Sequence, residues 1–201
     1  LPQQSDITAE FGTLRRAFKV ISQVTSEQEW EAIAQKRRQD LKVYLALSQF
    51  HRRPKVGELA PDLKQDIKAL FGSYKQACNQ ADQMLFSLGN PEIVAELCKQ
   101  SSLGKKLRNY LLVYISALET LDLLLRLYEG CASRTIGRLE SVTLIKFHIR
   151  QPKISYLFYP DFDTDPTQRC TLVCRLTCGI YKSAIGNTSA PILLYCIARV
   201  H

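Results

Sequence analysis

Phe11, Leu14, Phe18 and Ile21 recur at three- and four-residue steps, with Arg15, Arg16 and Lys19 between them. That spacing gathers the apolar side chains on one side of a helix and predicts an amphipathic helix over 8–24. Ser26 followed by Glu29 has the spacing of a capping box, in which hydroxyl and carboxylate satisfy the free N–H groups of a new helix. This second helix is predicted to reach about Gln49, with Trp30, Ile33, Leu41, Tyr44 and Leu45 on its apolar stripe. Pro61 suits a first turn, and Leu63, Ile67, Leu70 and Phe71 carry a short helix that ends at Gly72. Ser73 can cap the next, supported by Tyr74, Ala77, Ala81, Leu85 and Leu88. Gly89-Asn90-Pro91 closes it and opens another over Ile93, Val94 and Leu97. A glycine-hinged loop is expected over 101–106. The Leu-rich run 107–130 predicts a central core helix or helix pair, with 131–136 adding a turn.

The period then changes from about 3.6 to two. Segments 144–149 and 153–159 are rich in β-branched and aromatic residues and are separated by Arg150, Gln151 and Pro152, which predicts a β-hairpin. Ile145, Phe147 and Ile149 fall on one face; Leu144, Lys146 and His148 fall on the other. A two-stranded ribbon is marginal alone, so this hairpin is expected to lean on the core helix. The expected fold is mainly α: a compact multi-helix unit with one β-hairpin near residues 143–159, forming a domain over 1–166, and an irregular, poorly ordered C-terminal tail over 167–201.

Composition sharpens the boundary near 166. With 46% hydrophobic and 23% charged residues, the 201-residue chain has the balance of a folded protein. It carries 27 Lys and Arg against 19 Asp and Glu, a net charge of +8. Residues 166–201 hold four of those cations and no acidic residue, so 1–165 hold 23 and 19, an excess of only four. Four of the seven cysteines, Cys170, Cys174, Cys178 and Cys196, crowd into the same tail. Cys78, Cys98 and Cys131 are scattered through the helices, where a lone thiol behaves as a small buried hydrophobe. No apolar run reaches about 18 residues and no secretory leader is recognisable, which leads to the expectation of a cytoplasmic chain, or a piece of one, with no membrane partner.

Cations supply the candidate chemistry. Lys36, Arg37 and Arg38 form the most basic turn of the second helix; Arg52, Arg53 and Lys55 follow in a loop that also contains His51. Seven Lys and Arg within twenty residues make these the first candidates for DNA backbone contact. Lys146, His148 and Lys153 could face a phosphate from the hairpin. The same residues also describe ordinary solvated faces, and both readings stand. Asp161, Asp163 and Asp165 open like a calcium loop, but Pro166 and Leu172 occupy positions that need Gly and Glu; a looser cation site or a carboxylate-capped loop remains. The C-x3-C-x3-C spacing of Cys170, Cys174 and Cys178 fits neither structural zinc pairs nor the radical iron–sulfur pattern. Glu129-Gly130-Cys131 reads as a site or, with Gly130, as a helix C-cap.

Tyr159 to Pro166, Lys153-Ile154-Ser155-Tyr156, Tyr128-Glu129-Gly130-Cys131, Leu70-Phe71-Gly72-Ser73-Tyr74-Lys75 and Gln39-Asp40-Leu41-Lys42-Val43-Tyr44-Leu45-Ala46 together carry a family resemblance. Over roughly 8–166 the chain resembles the C-terminal region of the DNA phosphorothioation-associated methyltransferase-type proteins. The resemblance implies an S-adenosylmethionine-binding domain upstream, with this chain beginning after it and holding no cofactor of its own. No glycine-rich strand-to-helix loop with a following acidic residue is found here. The family continues past its Asp-Pro with a basic, strand-rich segment, and a one-base shift of frame lets 167–201 spell a similar one. The tail is therefore expected to be a frameshifted ending. The function expected is that of a non-catalytic accessory region positioning DNA or another protein of a DNA modification system. The alternatives are a small helical protein-interaction module without nucleic-acid binding, and a cysteine-ligated metal protein.

Overall fold

The computed structural model describes residues 4–136, 142–159, 171–181 and 193–200, the last two segments by their backbone alone. Asp161, Asp163, Asp165 and Cys170 lie outside the described residues, and of Cys174, Cys178 and Cys196 only the backbone is described. The chain divides into two units, Leu1–Asp40 and Leu41–His201.

The first unit is helical. α1 (Gln4–Phe11) and α2 (Leu14–Val24) replace the single helix expected over 8–24. The break falls at Gly12-Thr13 because the Thr13 hydroxyl accepts from the Arg16 N–H at 3.2 Å, which starts a new helix there. α3 (Glu27–Leu47) opens with the expected capping box: Glu29 N–H donates to Ser26 Oγ and Ser26 N–H to Glu29 Oε2, both at 3.2 Å. Its residues to Asp40 belong to this unit and its last turns to the next.

The second unit packs helices on one face of a sheet. After short 3-10 turns at Ser48–Phe50 and Val56–Glu58 come α4 (Pro61–Phe71), α5 (Tyr74–Ser87) and α6 (Pro91–Gln100). Ser73 caps α5 through the Gln76 N–H at 3.2 Å, and Asn90 caps α6 through the Glu92 N–H at 3.0 Å. The run 107–130, expected as helix, divides into four pieces. β1 (Lys105–Leu107) and β2 (Tyr110–Tyr114) form a hairpin; a 3-10 segment (Ile115–Thr120) follows; and only Leu123–Ile136 is the helix α7. Asp122 accounts for the late start, since its carboxylate accepts from the Leu124 N–H at 2.8 Å.

β3 (Leu144–His148) and β4 (Lys153–Phe158) are the expected hairpin. β2 pairs antiparallel with β3 on its other side, so the ribbon has a partner that the sequence reading did not supply. Beyond β4, the described backbone of the tail continues the sheet as β5 (Thr171–Tyr181) and β6 (Leu193–Val200), giving the antiparallel order β1-β2-β3-β4-β5-β6. The molecule remains mainly α, with a larger sheet than one hairpin.

Alternation along the strands sets the core. Leu111, Val113, Ile145, Phe147, Ile154 and Tyr156 point inward and are buried with Leu125, Tyr128 and Cys131 of α7 and with Leu45, Ile67, Ala81 and Leu85 of the other helices. Each fully buried Leu or Ile contributes roughly 1.5–3 kcal/mol of transfer free energy. The hairpin does lean on the core helix: the Tyr128 and Phe147 rings lie 6.5 Å apart, and the Tyr156 hydroxyl bonds to Glu129. Gly130 is not a C-cap. It sits inside α7, where an added Cβ would meet Leu47 Cδ1 at 2.7 Å, so glycine here permits close packing of Leu47 against α7. No helix among the described residues is long and apolar enough to cross a membrane.

Candidate nucleic-acid interface

The face of the sheet turned away from the core is built by register. Lys105 pairs with Leu112, Leu112 with Lys146, and Lys146 with Ser155, which sets four strands side by side in one row. In the next row Leu107 pairs with Tyr110 and Tyr110 with His148. Residues paired this way share a face, and Lys153 joins it two positions before Ser155. Of the nine predicted site residues, the structure therefore brings Lys146, His148 and Lys153 together.

Aromatic and hydroxyl groups hold these side chains in place. Lys146 Nζ stands 3.8 Å from the centroid of the Tyr110 ring, a cation–π geometry that directs the ammonium across the strands. The His148 ring lies 6.4 Å from the same tyrosine, and its Nε2 is 3.1 Å from Ser155 Oγ. Ser155 is only 2% exposed, whereas Lys146, His148 and Lys153 are half-buried, with their stems on the sheet. At one end the Ile149 N–H donates to Asn109 O at 2.9 Å, tying the turn that bears Arg108 to the turn that bears Arg150. Both arginines are exposed. Lys106 differs: its ammonium donates to Lys99 O at 3.3 Å, at the C-terminal end of α6, where a cation suits the helix dipole.

The other predicted residues go elsewhere. Arg53 is a clamp. It donates to Asp82 Oδ2 at 3.1 Å and to Asp82 Oδ1, and also to the Leu45 carbonyl at 2.9 Å, so its side chain is only 14% exposed. Burial works against its charge, but hydrogen bonding and attraction to Asp82 outweigh it and hold the guanidinium pKa above the ordinary value. Arg52 is exposed and pairs with Glu58 at 3.3 Å. Lys55 begins the 3-10 turn, its N–H donating to Glu58 Oε2 at 2.8 Å. Lys36 and Arg37 are exposed on the first unit's part of α3, where Arg38 lies 3.8 Å from Glu31.

Sequence reasoning did not single out Lys105, Arg108, Arg150 or the Tyr110 ring: Arg108 and Tyr110 fell in the run 107–130 read as helix, while Lys105 and Arg150 fell in a loop and a hairpin turn with no partner strand to bring them together. One signal was present: neither 103–114 nor 142–159 contains an Asp or Glu, while together they hold Lys105, Lys106, Arg108, Lys146, Arg150 and Lys153. Two acid-free runs meeting in one sheet make a local positive field out of a chain whose first 165 residues are only mildly basic. The face stands on its own chemistry, since comparison of this chain with family models, with curated proteins and with solved structures finds no match.

Proposed function

We propose that this chain is a non-catalytic accessory region that holds the DNA backbone, as the resemblance to the DNA phosphorothioation-associated methyltransferase-type proteins implies. The observation that carries the reading is the six cations and no carboxylate of the two paired hairpins. Phosphate contact needs cations within reach of a common surface, and Lys105, Arg108, Lys146, Arg150 and Lys153 meet that need from three strands of one sheet and two linked turns. The Tyr110 and His148 rings add apolar area beside the charges, which suits sugar and base edges at a groove. Such a surface positions a duplex without reading much sequence. S-adenosylmethionine chemistry belongs, on this reading, to a partner or neighbouring domain.

Fluorescence anisotropy of a labelled duplex against salt tests the proposal. Binding should weaken steeply, with log K falling against log salt at a slope on the order of −3 to −5 for four or five phosphate contacts. Lys146→Glu with Lys153→Glu, or Arg108→Glu with Arg150→Glu, should each flatten the slope by about two. Lys75→Glu with Lys99→Glu, exposed helix positions outside the hairpins, should change it little. Absence of binding at low salt would sink the proposal and favour a protein-interaction module.

A further inference from the structure

The second unit holds a cavity that shares no residue with the sheet face. It lies between the 3-10 turn Val56–Glu58, α4 and the start of α5, and its volume is about 280 Å³. Val56, Leu59, Ile67 and Tyr74 supply its apolar lining. Leu59 and Ile67 belong to the buried core, which fixes that part of the wall. Two side-chain-to-backbone bonds pin the rest: the Tyr74 hydroxyl donates to Pro54 O, and Lys64 Nζ donates to Gly57 O at 3.1 Å. Each ties a helix to the loop that precedes α4, so the cavity is formed before any ligand arrives.

The charge of the lining has one sign. Lys64 and Lys68, one turn apart on α4, border the cavity, and no Asp or Glu does. Asp62 and Asp66 of the same helix stand about 160° round it from Lys64. Glu58 is engaged by the Lys55 N–H and by Arg52. Lys64 meets a carbonyl rather than a carboxylate, which leaves its charge uncompensated there, and Lys68 is exposed. An apolar cavity of about 150 Å³ takes benzene, so this one has room for a ring with a short polar arm. A small inorganic anion would leave the apolar walls unfilled, and a neutral apolar molecule would make no use of the ammonium groups. A carboxylate on a compact apolar body satisfies both.

We propose that this cavity binds a small organic monocarboxylate, its apolar body against Val56, Leu59, Ile67 and Tyr74 and its carboxylate at Lys64 and Lys68. Phenylacetate titrated into the full chain, followed by amide NMR and calorimetry, tests it. Saturable shifts should centre on the amides of Val56, Gly57, Gly72 and Ser73. Phenylacetamide, nearly the same shape without the charge, should bind roughly fivefold or more weakly. Lys64→Met with Lys68→Met keeps the apolar stems and should abolish that preference while leaving phenylacetamide binding unchanged. Val56→Trp, at a position 49% exposed, fills the mouth and should remove binding of both with circular dichroism unchanged. No saturable shift, shifts centred on Lys105 and Lys146 instead, an amide that binds as tightly as the acid, or binding that survives Val56→Trp would each overturn it.

Discussion

The Tyr156 hydroxyl on β4 donates to Glu129 Oε1 on α7 at 3.0 Å, joining the sheet to its core helix through a carboxyl that is only 6% exposed. The Ser133 hydroxyl, one turn along α7, donates to the same oxygen. Burial pushes the Glu129 pKa above the ordinary carboxylate range; the two hydrogen bonds pull it down and are outweighed. Within the fold, then, this group is easier to keep neutral than it is in the unfolded chain.

Stability should follow from that sign. A carboxyl whose pKa is raised on folding contributes fully below its unfolded value, about 4.3, and loses that contribution as pH rises through the folded value. Glu129→Gln keeps the shape and the accepting oxygen without the ionisation. Urea unfolding of both proteins should give similar stabilities near pH 4.5, with the variant ahead by roughly 1–3 kcal/mol near pH 8. A difference that stays constant across this range would contradict the assignment. Tyr156→Phe, by contrast, should cost about 1–2 kcal/mol.

Arg53 and Asp82 present the opposite case, a charge pair whose partners are both mostly covered. Asp82→Ala leaves the guanidinium with the Leu45 carbonyl as its remaining acceptor and should destabilise by about 2–4 kcal/mol, more than an exposed pair such as Arg52–Glu58 is worth. Arg53→Lys should fare nearly as badly, because an ammonium cannot reproduce the forked contacts. A double-mutant cycle measures the coupling. DNA affinity should be unchanged by either substitution once the protein is folded, since Arg53 faces inward.

Helices announced by caps were legible in the sequence. Ser26 with Glu29, Ser73 and Asn90-Pro91 mark their starts by chemistry that acts within four residues, and the hairpin of Lys146, His148 and Lys153 shows itself by local alternation. Tyr110-Leu-Leu-Val-Tyr114 was not legible. Leucine favours a helix, and what makes these residues a strand is pairing with Leu144–His148, about thirty residues away, a tertiary effect that overrides propensity. Arg53 failed for a related reason: its basic neighbours suggested a surface, while its acceptors come from Asp82 and Leu45. Charge was visible along the chain, but its burial was not.

Cys98 should be chemically silent in the native state. It is fully buried, and burial pushes its thiol up to about 12, so almost no thiolate is present at neutral pH. Iodoacetamide labelling followed by peptide mass mapping should leave Cys98 unmodified until denaturant opens the second unit, after which labelling should be complete. Rapid native labelling of Cys98 would show that α6 opens far more readily than its packing implies.

Gly104 links stability to the proposed DNA face. It precedes β1 with φ +83°, and an added Cβ would stand 2.3 Å from Leu112 O and 2.9 Å from Val113 Cγ2. Both neighbours are fixed, Leu112 by its pairing with Lys105 and Lys146 and Val113 by burial in the core. Gly104→Ala must therefore displace the β1–β2 hairpin and should cost at least about 2 kcal/mol. Gly57 is the control, with open space around it and no positive φ, so Gly57→Ala should change stability by less than about 0.5 kcal/mol. Because the displaced hairpin presents Lys105 and Arg108, Gly104→Ala should also weaken duplex binding although every cation remains. Measured under conditions where both variants are folded, equal DNA affinity for the two would show that the hairpin's placement does not matter to the interaction.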